Sequence, residues 1–197
     1  MPTTPTKTTN ALFTMQQVAS NTVLKSSAID VSTKWAADIC LKIGKDNTSA
    51  FSNAWDVVAQ ISPEASGDDK WIDIPIGRIP TTASEGESVT GTEAAGATVI
   101  EVASTLNLEV GDKVLLKNST AGNSEFGTIV SVVTNTSITL LDGITNAQTG
   151  STIYDNAVEI YAHLNLEGVK RLRVALLSGT SGQSYMVVGD AVTFDSF

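Results

Sequence analysis

A series of short β-type segments at residues 97–154 interrupts what otherwise reads as one β-domain, and this restricts the chain to folds that can close around a guest module. The segments are Ala97-Thr98-Val99-Ile100-Glu101-Val102, Val110-Gly111-Asp112-Lys113-Val114-Leu115-Leu116, residues 128–133 and residues 137–141, with turn residues between each pair. Their spacing predicts a small inserted barrel. A fold tolerates such an insertion where its two ends lie side by side at a loop, since closure cost rises only slowly with loop length. Strands before Pro80 must then pair with strands after Asn156 and share one core.

The flanking sequence repeats at a period of two. Ala37, Ile39, Leu41 and Ile43 alternate with Asp38, Cys40 and Lys42, which places one face of a strand in a core. Trp55, Val57, Ala59 and Ile61 share a face of the next strand, which Pro63 stops. Residues 71–74 form a short strand, and Pro75 and Pro80 bracket an edge or connecting segment. Residues 81–95 are small and polar without a core pattern, as in a linker. Beyond the block, Val158, Ile160, Ala162, Leu164 and Leu166 face one way, and Glu159, Tyr161, His163 and Asn165 the other. Residues 169–177 form another strand, residues 178–182 a glycine-rich hairpin, and residues 185–188 and 191–194 two closing strands.

These elements predict an all-β protein with an antiparallel, jelly-roll-like β-sandwich base at residues 21–82 and 157–197. A small β-barrel is inserted at residues 83–156, and an N-terminal arm occupies residues 1–20. Within the arm, the Thr/Pro-rich residues 1–10 read as a frayed tail or a docking arm. Residues 11–21 read as a weak helical turn or a first strand.

Charge separates the two modules. The 197 residues carry a net charge of −9, and residues 83–156 hold nine acidic side chains against two basic ones, Lys113 and Lys117. The base is near neutral, so the insert is expected to face solvent while the base packs against something. The acidic balance argues against nucleic acid, whose phosphates are bound by cationic side chains. Cys40 is the single cysteine. It rules out an internal disulfide, leaves a cysteine-based metal site short of ligands, and reads as a small apolar filler. The N-terminus lacks the pattern of a secretory signal, and no stretch approaches the roughly 18 apolar residues of a membrane span. Assembly in a reducing cytoplasm is the expectation.

Catalytic chemistry is sparse. His163 is the single histidine, on the polar side of a strand, and nothing in its spacing nominates a nucleophile. Asp68, Asp69 and Asp73 lack the ordered oxygen ligands of a calcium loop. Gly179-Thr180-Ser181-Gly182 lacks the Lys-Ser or Lys-Thr of a phosphate loop. No catalytic, cofactor-binding or metal-binding residue is assigned. Lys170, Arg171 and Arg173 form the one basic cluster, with both arginines on the same side of a strand. They read either as a grip on a neighbour's carboxylates or as a solvated face that deters edge pairing. Trp35, Trp55 and Trp71 allow a carbohydrate-binding sandwich, although their apolar neighbours favour packing.

The stretch Leu166-Glu167-Gly168-Val169-Lys170-Arg171-Leu172-Arg173-Val174, its Gly-Ser turn, and Tyr185-Met186-Val187-Val188-Gly189-Asp190-Ala191-Val192-Thr193 together resemble the closing strands of tailed-bacteriophage virion proteins of the capsid-decoration and neck type. Val102-Ala103-Ser104, Val110-Gly111-Asp112-Lys113-Val114 and Gly127-Thr128-Ile129-Val130 are similar to the small barrel insertions of phage structural proteins. The resemblance implies a non-enzymatic virion protein, a capsid decoration or cement protein or else a neck or tail ring component. Its implied partners are the major capsid protein, other virion proteins and further copies of itself, a trimer being one arrangement. Neither a membrane nor a cofactor is implied. Lys7 in the arm, Lys170, Arg171 and Arg173 are the candidate interface residues, with the arm able to add as a strand to a neighbouring sheet.

Overall fold

The computed structural model describes residues 6–19, 22–48, 54–177 and 184–195. Among these, six strands precede the insert: β1 (Lys7–Val18), β2 (Leu24–Lys25), β3 (Ile29–Asp30), β4 (Lys34–Lys45), β5 (Trp55–Ser62) and β6 (Ile72–Ile79). The insert supplies β7 (Gly86–Ser88), β8 (Thr92–Glu93), β9 (Val99–Glu101), β10 (Lys113–Lys117), β11 (Glu125–Val133), β12 (Ser137–Leu140), β13 (Gln148–Thr149) and β14 (Thr152–Tyr154). The chain returns as β15 (Val158–Asn165), β16 (Arg171–Leu177) and β17 (Tyr185–Asp195). The described helical content is one 3-10 turn at Ala121–Asn123.

The base is a sandwich of two antiparallel sheets, ordered β1-β17-β4-β15 and β2-β16-β5-β6, with β3 also paired to β16. That strand order is a jelly roll. Strands before Pro80 pair with strands after Asn156: β4 with β15 and β17, and β5 with β16. The alternating apolar positions meet between the sheets, with Ile39, Leu41, Trp55, Val57, Leu172, Val174 and Val187 in one cluster. At its centre Tyr185 stands edge-on to Trp55, ring centroids 4.4 Å apart and 82° between planes. Burial of its hydroxyl raises the Tyr185 pKa.

Four local expectations are corrected by the pairing. Residues 7–18, expected within an arm, form a full strand along β17, in register from Lys7↔Phe194 to Ala11↔Asp190. A Thr-rich stretch has little apolar periodicity, yet β-branched side chains suit a half-exposed sheet edge. The two closing strands are one, because Gly189 continues β17 alongside β4, in register with Leu41. A Cβ there would lie 2.4 Å from Leu41 Cδ2 and 2.7 Å from the Cys40 carbonyl oxygen, so glycine permits close approach where it had signalled a break. Pro75 sits inside β6, tolerated because β6 is an edge strand with a register shift at Val57/Val58. Cys40, expected as apolar filler, is half-buried on the outward face of β4, in register with Tyr161 and Asp190.

In the insert, the order β7-β14-β10-β11-β12-β9 curls back on itself. The Val89↔Val102 bridge joins the ends, with the Thr90 N–H on Glu101 O and the Ala103 N–H on Ser88 O, each at 3.0 Å. Closure removes the open edges of the sheet. Ile100, Val114, Leu116, Ile129, Ile138 and Ile153 fill the interior as a second cluster, which includes Val89. Residues 81–95, expected as a linker, therefore contribute β7, β8 and a core side chain, in segments too short to carry a visible period.

The close approach at Gly189 has a testable cost. Gly189→Ala should lower the urea midpoint by an amount equivalent to about 2–3 kcal/mol, because backbone and side chain of β4 must both move. A midpoint unchanged in equilibrium unfolding would contradict the packing described.

Candidate interaction surfaces

The insert enters and leaves at one place. Asp155 Oδ1 accepts the Glu85 N–H at 2.6 Å and the Ser84 hydroxyl at 2.9 Å, while Asn156 Nδ2 donates to Ala83 O at 3.1 Å. Asn156 holds a positive φ of 57°, a conformation asparagine tolerates better than most residues.

From this neck the barrel lies against the outward face of β4. Gly44 makes room: a Cβ there would stand 2.8 Å from Leu115 Cβ and 2.9 Å from Phe126 Cε1. Around the contact, Lys113 of the barrel reaches Glu159 of β15 at 3.0 Å, and Lys42 of β4 reaches the other Glu159 oxygen at 3.5 Å. Burial raises the Glu159 pKa, but Lys113 and Lys42 outweigh it and hold the carboxyl below its ordinary range.

Asp46 makes the stronger tie. Its side chain is fully buried and accepts Lys117 Nζ of the barrel at 3.0 Å, the Ser184 hydroxyl at 2.7 Å, and the Gln17 amide of β1. Burial pushes its pKa up, but the bonds from Ser184, Gln17 and Lys117 prevail, and the net shift is downward. One carboxylate thus joins the far end of β1, the end of β4, the approach to β17 and strand β10. Beside it Lys45 is also buried, and desolvation lowers its pKa against the pull of Asp155.

The basic cluster is already engaged within the chain. Arg171 and Arg173 project from the outward side of β16 and stack on Trp71, with guanidinium carbons 4.7 and 3.9 Å from the ring centroid. Arg171 Nε donates to Glu64 O, and Arg173 donates to Gln60 Oε1 and Asp68 Oδ1, each at 2.7 Å. The Trp71 indole N–H also donates to Asp68 at 2.7 Å. The bonds from Trp71 and then Arg173 hold the Asp68 pKa low. The arginines therefore fasten the loop before β6 to their own sheet and make a rigid basic-aromatic surface. Lys170 is exposed in the preceding turn. Lys7 is exposed at the start of β1, with Nζ 5.4 Å from the Phe194 centroid, and Phe194 meets Trp35 at 6.0 Å. The arginine group and Lys7 lie on different sheets.

The tryptophans form no common platform. Trp55 is buried, Trp71 is covered by guanidinium, and Trp35 is 42% exposed. His163 Nδ1 lies 2.6 Å from Asp38 Oδ1 on an open outward face beside Tyr161. The Tyr161 hydroxyl is pushed up to about 12, by Cys40 first and by Glu159. Among the described residues no group of three or more His, Cys, Asp or Glu side chains is placed to hold a metal ion. Where barrel and sheet meet, a polar cleft of about 170 Å³ is lined by Lys42, Glu125, Phe126, Thr128 and Asp142. Glu125 is occupied there by the N–H groups of Thr145 and Asn146, both at 2.6 Å. The glycine-rich segment at residues 178–182 lies outside the described residues.

Sequence reasoning passed over Asp46, Lys113, Lys117 and Glu159. Asp46 stands in Asp46-Asn47-Thr48-Ser49, which reads as turn chemistry. The available signal was that the insert's two basic residues sit four apart, Lys113 within a predicted strand and Lys117 directly after it.

No protein-family model matches the chain, and no curated protein matches it. Among solved structures it is similar to the SPBc2 prophage-derived protein YomS, at 12% identity and a TM-score of 0.33, over 99% of this chain and 98% of that one. It is also similar to infectious bursal disease virus structures of the Gt and Gx strains, each at a TM-score of 0.29 and at 10% and 13% identity. There the match covers 97% of this chain but 42% and 40% of the viral chains. TM-scores of this size fall short of a shared fold.

The Asp46 tie predicts a pH dependence. A carboxylate held below its unfolded pKa stabilises the fold above that value and loses the contribution as pH falls through the folded value. Asp46→Asn should cost about 2 kcal/mol at pH 7, and the gap to wild type should narrow progressively as pH falls below about 4. Urea unfolding from pH 3 to 7 checks this, and a pH-independent gap would contradict the assignment.

Proposed function

We propose that this chain is a non-enzymatic virion structural protein that binds an assembled phage head and stabilises it as a decoration or cement protein. The observation that carries the proposal is the junction: a jelly roll and a closed barrel fastened by a buried carboxylate and paired lysines, so that their outer surfaces keep a set relation. A jelly roll recurs in viral capsid and lectin domains, but a fold alone does not assign a role. Rigid surfaces suit bridging between repeated neighbours, because little conformational freedom is lost on contact.

In this reading the residues divide as a terminal segment at 1–20, a base at 21–82 and 157–197, and an insert at 83–156. The terminal segment and the base dock on the shell together, using Lys7 of the first and Lys170 and the Arg171–Arg173 surface of the second, and the acidic barrel projects outward. A ligand that binds only the assembled state stabilises that state by mass action. The protein would assemble in the host cytoplasm and remain on the virion.

Electron microscopy of the particle that carries this chain tests the proposal. A copy number matching the shell subunits supports decoration, with the barrel outermost. A single ring at one vertex would move the chain to the neck or tail. Shells stripped of the protein should disassemble at a lower temperature and recover when it is added back. No recovery would overturn the cement role.

A further inference from the structure

We infer that β1 is a self-pairing edge, at which a second copy of this chain adds its own β1 antiparallel about a twofold axis through Thr9. The inference deepens the proposed function by naming one partner, and it rests on that reading only for its biological setting.

The edges of the sandwich differ in how they are protected. Edge β6 contains Pro75 and a register shift. The other end of that sheet is divided between β2 and β3, two residues each. Edge β15 lies against β6, where Gly77 leaves room for Ile160. Edge β1 is twelve residues long, and its register along β17 is unbroken from Lys7 to Ala11. Those five residues contain no proline and no bulge, and no strand among the described residues pairs with their other side. An unblunted edge of this kind is a template for another strand.

Hydrogen-bond parity sets the register. The Asp195 N–H donates to Thr6 O at 3.1 Å, so that pair is a hydrogen-bonded one, and antiparallel pairs alternate between bonded and non-bonded. Thr8 and Asn10 therefore turn their backbone groups toward β17. Lys7, Thr9 and Ala11 turn theirs to the open side. A second β1 satisfies these groups when Thr9 meets Thr9 and each Lys7 meets the other copy's Ala11.

Charge fits that register. Ala11 already lies opposite Asp190 on β17, and Asp190 is exposed with no ion pair among the described residues. Each Lys7 would stand about 10 Å from the other copy's Asp190 between Cα atoms, within reach across the Ala11 methyl. Symmetry forms the contact twice. The base, with ten basic and twelve acidic residues outside the insert, adds little repulsion. The barrel meets β1 at its far end, where Gly122 and Met15 line one cleft.

Sedimentation equilibrium of the full chain tests the inference. The expected result is twice the 20.6 kDa chain mass at high protein concentration. Thr9→Pro removes an N–H that the single chain leaves facing outward, so it should give a monomer with unchanged circular dichroism. Ala11→Lys sets a lysine against Lys7 of the second copy and should weaken association at least tenfold. A wild type that stays monomeric at its highest soluble concentration overturns the inference, as does an oligomer that both variants leave intact. A monomer that still binds and stabilises shells would overturn the pairing and leave the decoration role standing. A dimer that binds no shell would do the reverse.

Discussion

The arrangement of this molecule depends on placing the carboxylate of Asp46 where no water reaches it. A buried charge is costly unless hydrogen bonds and an opposite charge compensate. Here Gln17, Ser184 and Lys117 do so together. The compensation requires the far end of β1, the start of β17 and a barrel strand to converge on one point, so satisfying one side chain couples the sandwich to its insert. Lys113, Glu159 and Lys42 repeat the pattern nearer the surface, where solvent screens it more.

That coupling shapes what the protein can do. A barrel carried on a free linker would sample many orientations, and its surface would act independently of the base. Docked through Gly44 and held by lysines, it extends the sandwich as a second rigid body. The charged groups that first suggested outward contacts are partly spent inward, since Arg171 and Arg173 hold Trp71 and the loop before β6. What they leave for a partner is a shaped basic-aromatic surface in place of two mobile cations. Open character concentrates at the β1 edge and on the outward face bearing Trp35, Phe194, Tyr161 and His163.

Much of the fold was legible because its signals are local. The alternation of Ala37, Ile39, Leu41 and Ile43 with Asp38, Cys40 and Lys42 names strand and inner face together, and the same holds for residues 158–166. Signals failed where a strand was short or its reason lay elsewhere. Val89 is the one large apolar residue in a small polar stretch, and its burial depends on the bridge to Val102. Gly189 looks like a break until Leu41 is seen paired across from it on β4. Of the candidate interface residues, exposure of Lys7 and Lys170 follows from local pattern, whereas the engagement of Arg171 and Arg173 needs Trp71, about a hundred positions earlier.

Sequence by itself determined the all-β class, the period-two faces and the presence of an acidic block between two halves of a sheet system, because each rests on neighbouring residues. Tertiary structure alone decided the strand order within the jelly roll, that residues 7–18 serve as its open edge, and that Asp46 is a buried tie. Those outcomes turn on contacts between residues far apart in the chain, whose free energies exist only once the fold has brought them together.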